Sequence, residues 1–141
     1  MRPGARGRFK PSTEAESRRK DDVELSGRRD ELLAAAGAAE SRFRQAQASH
    51  APYAEVRSAA LDLDAALTAA VRAAYAAQRV EIGVRGYDDR IFRRKAMATP
   101  GVKTLTAEAE RLLTLRETHR LNGIPPELFE PASLTGQINK A

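Results

Sequence analysis

The chain has no cysteine, no tryptophan, and only three Tyr and four Phe. The missing thiols exclude a disulfide framework, a cysteine zinc site and a thiol nucleophile. No apolar run approaches the roughly 18–20 residues of a membrane span. Despite its positive charge, the N-terminus also lacks the apolar stretch of a signal peptide. Strand-like alternation and internal repeats are missing too, and Gly83 and Gly86 lack the flanking strand that a phosphate loop requires. These absences lead us to expect a soluble protein inside the cell, or packed inside a particle assembled there, not secreted by a signal peptide and without a membrane partner.

Large apolar side chains are scarce as well. Of the 59 residues counted as hydrophobic, 27 are Ala, and Leu, Ile, Val, Met, Phe and Tyr supply the other 32. Alanine favours helix and lets backbones approach closely, but it buries little area. A 141-residue chain has room for one domain. Helical hairpins built from such material need partners, so we expect a homo-oligomer or a subunit among other assembly subunits.

The formal net charge is +5, and residues 1–20 carry all of it. Arg2, Arg6, Arg8, Lys10, Arg18, Arg19 and Lys20 oppose only Glu14 and Glu16, whereas residues 21–141 hold seventeen charges of each sign. In its Pro/Gly context the stretch MRPGARGRFKPS reads as an extended arm suited to a polyanion or an acidic groove. Its plain alternative is a solubilising tail.

Three segments follow from the pattern: a basic extended arm over 1–20, a helical domain over 21–123 and an extended C-terminal arm over 124–141. A first helix is expected to start at Thr13, with Thr13 and Glu16 at capping-box spacing, and to be interrupted at Ser26-Gly27. From Arg28 to Ser49, Leu25, Leu32, Ala39 and Ala46 repeat every seven residues, with Ala36 and Phe43 on the alternate position. After a turn at Ser49–Pro52, with Pro52 suited to the first helical position, a long helix runs to about Ile82. It carries the lines Tyr53, Ala60, Leu67, Ala74 and Val56, Leu63, Ala70, Ala77. The two helices should pair as an antiparallel hairpin with an alanine-rich seam. A second stripe, Leu61, Thr68, Tyr75 and Ile82, points elsewhere, which makes Leu61, Tyr75 and Ile82 candidates for an interface. Asp88 or Asp89 can cap a short helix to Met97, with Ile91, Phe92 and Ala96 inward and Arg90, Arg93 and Arg94 outward. Thr106 is then expected to cap a last helix to about Leu121, and Glu127-Leu128-Phe129 to form one turn.

Little here suggests catalysis. His50 sits in a turn and His119 near a helix end, and neither has a Glu at metal-binding spacing. Both read as surface or capping histidines. Asp62 and Asp64 diverge on their helix. No catalytic residue, metal ligand or cofactor is therefore expected. Two basic features remain as candidate contacts with nucleic acid or a partner: the arm, and the Arg90, Arg93, Arg94 cluster, whose bland alternative is a solvated helix face. A helix-turn-helix reading is weak, because the Ala98–Thr104 connection is long and Glu108, Glu110 and Glu117 on the following helix would repel phosphate.

The order of segments resembles small terminase subunits of tailed bacteriophages. The residues that carry the likeness are MRPGARGRFKP at the start, the Asp64 to Tyr75 stretch of a long Ala-rich helix, and Leu121-Asn122-Gly123-Ile124-Pro125-Pro126 after the last helix. It departs from that pattern after Pro126, where Glu127-Leu128-Phe129-Glu130 replaces polar and basic residues. The resemblance implies a DNA-binding packaging protein. The same layout suits a virion structural subunit, such as a head-tail connector or minor capsid component, in which each arm reaches a neighbour. Outside phage, a cellular nucleoprotein or ribosome-associated factor would use the arm on RNA. The expectation is an all-α, non-enzymatic assembly subunit of a larger particle, tethered through its basic arm to nucleic acid or a neighbouring subunit.

Overall fold

A computed structural model describes residues 9–127. Helix accounts for 83% of these residues, and they contain no strand, so the all-α class holds. Helix α1 spans Thr13–Ser26, α2 Arg29–Ala48 and α3 Tyr53–Ile82. The short α4 (Arg85–Asp88) and α5 (Arg90–Ala96) lead to α6, Pro100–Thr118, which ends in a π-helical turn over His119–Gly123.

Local chemistry sets most of these boundaries. The cap of α1 is Ser12 rather than Thr13: its Oγ accepts from the Ala15 N–H at 3.0 Å, while Glu14 and Glu16 in the first turn favour the helix dipole. Residues 13–20 are therefore helical, and the extended arm expected over 1–20 is confined, among the described residues, to Phe9–Ser12. Gly27 closes α1, with its N–H on the Val23 carbonyl, and α2 restarts two residues later. His50 adopts φ 54° in the turn after α2, and Pro52 stands at the cap of α3, one residue before the position expected. Gly83 ends α3 at φ 104°, where a side chain would be strained.

The last long helix corrects the sequence reading. Thr99-Pro100, expected within the Ala98–Thr104 connection, starts the helix instead, because Pro at the first helical position has no N–H to lose. Thr106, expected as the cap, lies within α6, where its Oγ1 donates to the Val102 carbonyl and accepts from Gln78 Nε2 at 2.7 Å.

Helix α3 is the central element, with α1, α2 and α6 packed against it. Ala60, Ala70, Ala73, Ala74 and Ala76 on α3 are at most 1% exposed. Around them gather Ala36, Ala39 and Phe43 of α2 and Ala109 and Leu112 of α6. No large side chain among the described residues is fully buried, which is how an alanine-built core differs from a leucine-built one. An Arg29–Glu108 ion pair of 3.7 Å links α2 to α6.

His119 is another correction, since it is buried rather than on the surface. Its Nε2 lies 2.8 Å from the Ala60 carbonyl oxygen, and its ring meets Phe43 edge-on at 5.1 Å. The chain then turns back along the start of α3, where Tyr53 donates to the Pro126 carbonyl and Arg57 faces Glu127 at 3.7 Å. Glu127 is not helical, and the rest of the expected 127–129 turn and the 128–141 part of the C-terminal arm lie outside the described residues.

If alanine sets the helix separation, Ala70→Leu should lower the unfolding free energy by about 1–3 kcal/mol through overpacking. Ala34→Leu, on the exposed face of α2, should leave it nearly unchanged. Urea titration followed by far-UV circular dichroism distinguishes the two.

Candidate nucleic-acid interface

The described part of the arm, residues 9–20, and the Arg90–Arg94 cluster, about seventy residues apart in the chain, meet at one end of the described structure. Ser12 makes the join: its backbone N–H and its Oγ each donate to the Asp88 carboxylate at 2.8 Å. Arg85 lies between two aromatic rings, 5.3 Å from the Phe9 centroid and 5.0 Å from that of Phe92. Cation–π contacts of this kind contribute about 0.5–1 kcal/mol each at exposed sites. Arg85 also pairs with Asp89 at 3.1 Å. Asp89 in turn caps α5 by accepting from the Phe92 N–H at 3.0 Å, and that hydrogen bond is the first cause holding its carboxyl below the usual range.

Below this join, Asp22, Arg79 and Tyr87 clasp α1, α3 and α4. Arg79 donates to both Asp22 oxygens, at 2.7 and 3.2 Å, and the Tyr87 hydroxyl donates to the same carboxylate. Burial pushes the Asp22 carboxyl up. The hydrogen bonds from Arg79 and Tyr87, with the charges of Arg79 and Arg18, outweigh that effect and leave its pKa below 3.8. Burial and the bond to Asp22 push the Tyr87 phenol well above its ordinary value. The Arg18 guanidinium sits over the Tyr87 ring at 5.5 Å.

The candidate residues divide as follows. Arg2, Arg6 and Arg8 lie outside the described residues. Lys10 is exposed on the extended root, and on α1 Arg18 and Lys20 are exposed while Arg19 is half-buried. Arg90 and Arg94 project from α5, with Lys95 beside them, and none of the three has a salt-bridge partner among the described residues. Arg93 instead turns back and donates to the Gly86 carbonyl at 2.8 Å. Ile91, expected to face inward, is 71% exposed, because α5 makes its main contacts with α4 and none of its residues is buried.

The second stripe of α3 is split among three environments. Ile82 is buried beneath Gly86, where an added Cβ would lie 2.5 Å from Ile82 Cγ2. Tyr75, half-buried, lines a groove of about 1110 Å³ together with Phe9, Arg90, Arg94 and Lys95. Leu61, 40% exposed, lies about 20 Å from Tyr75 along the helix, beside Tyr53 and Arg57.

The clasp was missed from the sequence because Asp22 stands in an acidic run that reads as solvated. Ala15 and Asp22, seven residues apart, are the buried residues of α1. Among the described residues, no three His, Asp or Glu side chains converge as metal ligands would, and no helix is long and apolar enough to cross a membrane.

Since the folded-state pKa of Asp22 is depressed, its contribution is complete above the unfolded value near 3.8 and is lost as pH falls through the folded value. Asp22→Asn should therefore destabilise at pH 7 by about 2 kcal/mol, less than a fully buried pair because the Arg79 side chain keeps 38% exposure. The difference between the variant and the parent should shrink as the pH falls below 3.8 and the Asp22 carboxylate is protonated. Unfolding free energies measured between pH 2 and 7 test the sign and the window.

Comparison of the chain with protein-family models, curated proteins and solved structures finds no match, so the reading of this end rests on its own geometry and charge.

Proposed function

We propose that this chain is a non-enzymatic assembly subunit of a larger particle, a phage virion or head-tail component, whose basic end tethers it to nucleic acid. The observation that carries the reading is the convergence of Lys10, Arg18 and Arg19 with Arg90, Arg94 and Lys95, drawn from distant parts of the chain onto one end. Cations spaced over that surface, with aromatic rings between them, suit backbone phosphates and give affinity without sequence reading. The residues beyond the described root, Arg2, Arg6 and Arg8, would extend the same contact along the strand.

An assembly role is supported by the thin alanine core together with apolar side chains left at the surface. Leu61, Ile91, Leu115 and Leu121 are 40%, 71%, 45% and 82% exposed, and such side chains are used when a neighbouring subunit covers them. A DNA-packaging role of the small-terminase kind would use the same basic end. The chain would then work in the virion or the host cytoplasm, as a homo-oligomer or beside other subunits, with no catalytic residue and no cofactor.

With about four phosphate contacts, affinity for duplex DNA should fall about a hundredfold between 50 and 200 mM salt, at a slope near 0.9 per contact. Arg90→Glu combined with Arg94→Glu should weaken binding at least tenfold and flatten that slope without changing oligomer size. Fluorescence anisotropy with a labelled duplex and sedimentation velocity measure the two quantities. Salt-independent binding, or loss of the oligomer instead of the DNA affinity, would contradict the tether.

A further inference from the structure

We infer that a small pocket beneath the basic end, lined by Arg18, Arg79 and Arg93, binds one tetrahedral phosphate group. The three guanidinium groups come from α1, α3 and α5, and Ile82, Gly86 and Tyr87 complete the walls. The pocket measures about 40 Å³. At about 10–15 Å³ per water this holds roughly three water-sized atoms. Three oxygens of a phosphate therefore fit inside, leaving the fourth at the mouth as the link to a chain or to solvent.

Each guanidinium is already held in place by a contact that leaves N–H groups over. Arg79 commits Nε and Nη2 to Asp22, leaving Nη1. Arg93 commits Nη1 to the Gly86 carbonyl. Arg18 lies over the Tyr87 ring and makes no hydrogen bond or ion pair among the described residues. The one carboxylate at this site, Asp22, takes up Arg79 and the Tyr87 hydroxyl, so about two positive charges stay uncompensated. Forked donors held in advance match oxyanions well, since little side-chain freedom is lost on binding. A planar carboxylate would satisfy two of the three groups, whereas a tetrahedral phosphate can meet all three.

The pocket refines the nucleic-acid tether and rests on that reading for the polymer that would supply the phosphate. Its bare chemistry is shared with free inorganic phosphate, and the two sources separate experimentally. Titrating the ¹⁵N-labelled full chain with inorganic phosphate at constant ionic strength should shift the Arg18, Arg79 and Arg93 Nε–H signals and the Gly86 amide to saturation. Acetate at the same strength should not do so. Arg18→Gln with Arg93→Gln should weaken phosphate binding at least tenfold, and Arg18→Gln alone, at an exposed position, serves if the double variant misfolds. Arg79 is left intact because it holds Asp22.

In parallel, retention of the labelled duplex by the parent chain should fall in the double variant. Saturable phosphate binding without DNA binding in the parent chain would support the pocket and overturn the tether. DNA binding with phosphate shifts that are absent, matched by acetate or unchanged in the variants would overturn the pocket and leave the tether standing.

Discussion

Side chains of a single carbon at Ala60, Ala70, Ala73, Ala74 and Ala76 let three helices lie close against α3, and the rest of the molecule depends on that close approach. Because alanine loses no rotamer entropy and favours helix, the long α3 forms at low entropic cost and serves as a rod for the helices packed on it. The cost is a small buried area per residue. Fewer large side chains are enclosed, so Phe43, Leu63, Leu67 and Leu112 carry much of the hydrophobic stabilisation on one side of the rod. His119 completes that side by closing over Phe43 and fixing the end of α6 to the Ala60 carbonyl.

At the far end of the rod the fastening is polar. Asp22 takes hydrogen bonds from two helices at once, and this anchors α1 where its basic residues stand beside those of α5. Ser12 and Phe9 then carry the extended root onto α4 and α5. The basic residues of 10–20 and those of α5 thus lie at one end of the described structure. The placement matters more than the total, because charges within a Debye length of about 10 Å act together on any charged partner.

Much of the scaffold was legible in the residues. Gly83 after Ile82 stops α3, Ser49–Pro52 turns the hairpin, and the heptad positions of Ala36, Ala39 and Phe43 are buried as their spacing implies. What escaped depended on distant partners. Thr99-Pro100 looks the same locally whether it breaks one helix or starts the next, and the Gln78 contact holds Thr106 inside the longer helix. Ile91 has the right spacing to face inward, yet a seven-residue helix resting mainly on α4 offers it no core. His119 and Asp22 are polar residues whose burial depends on a carbonyl and a guanidinium from other helices, and spacing alone carries no sign of either. The basic end was legible as two clusters but not as one surface, since the join at Ser12 and Asp88 spans 76 residues.

Hydrogen–deuterium exchange of the full chain, with and without duplex DNA at low salt, tests the central claim most directly. If the two basic segments form one surface, residues 9–20 and 85–97 should gain protection together while residues 50–64, at the opposite end of α3, stay unchanged. Protection centred on 50–64, or confined to one of the two basic segments, would contradict it.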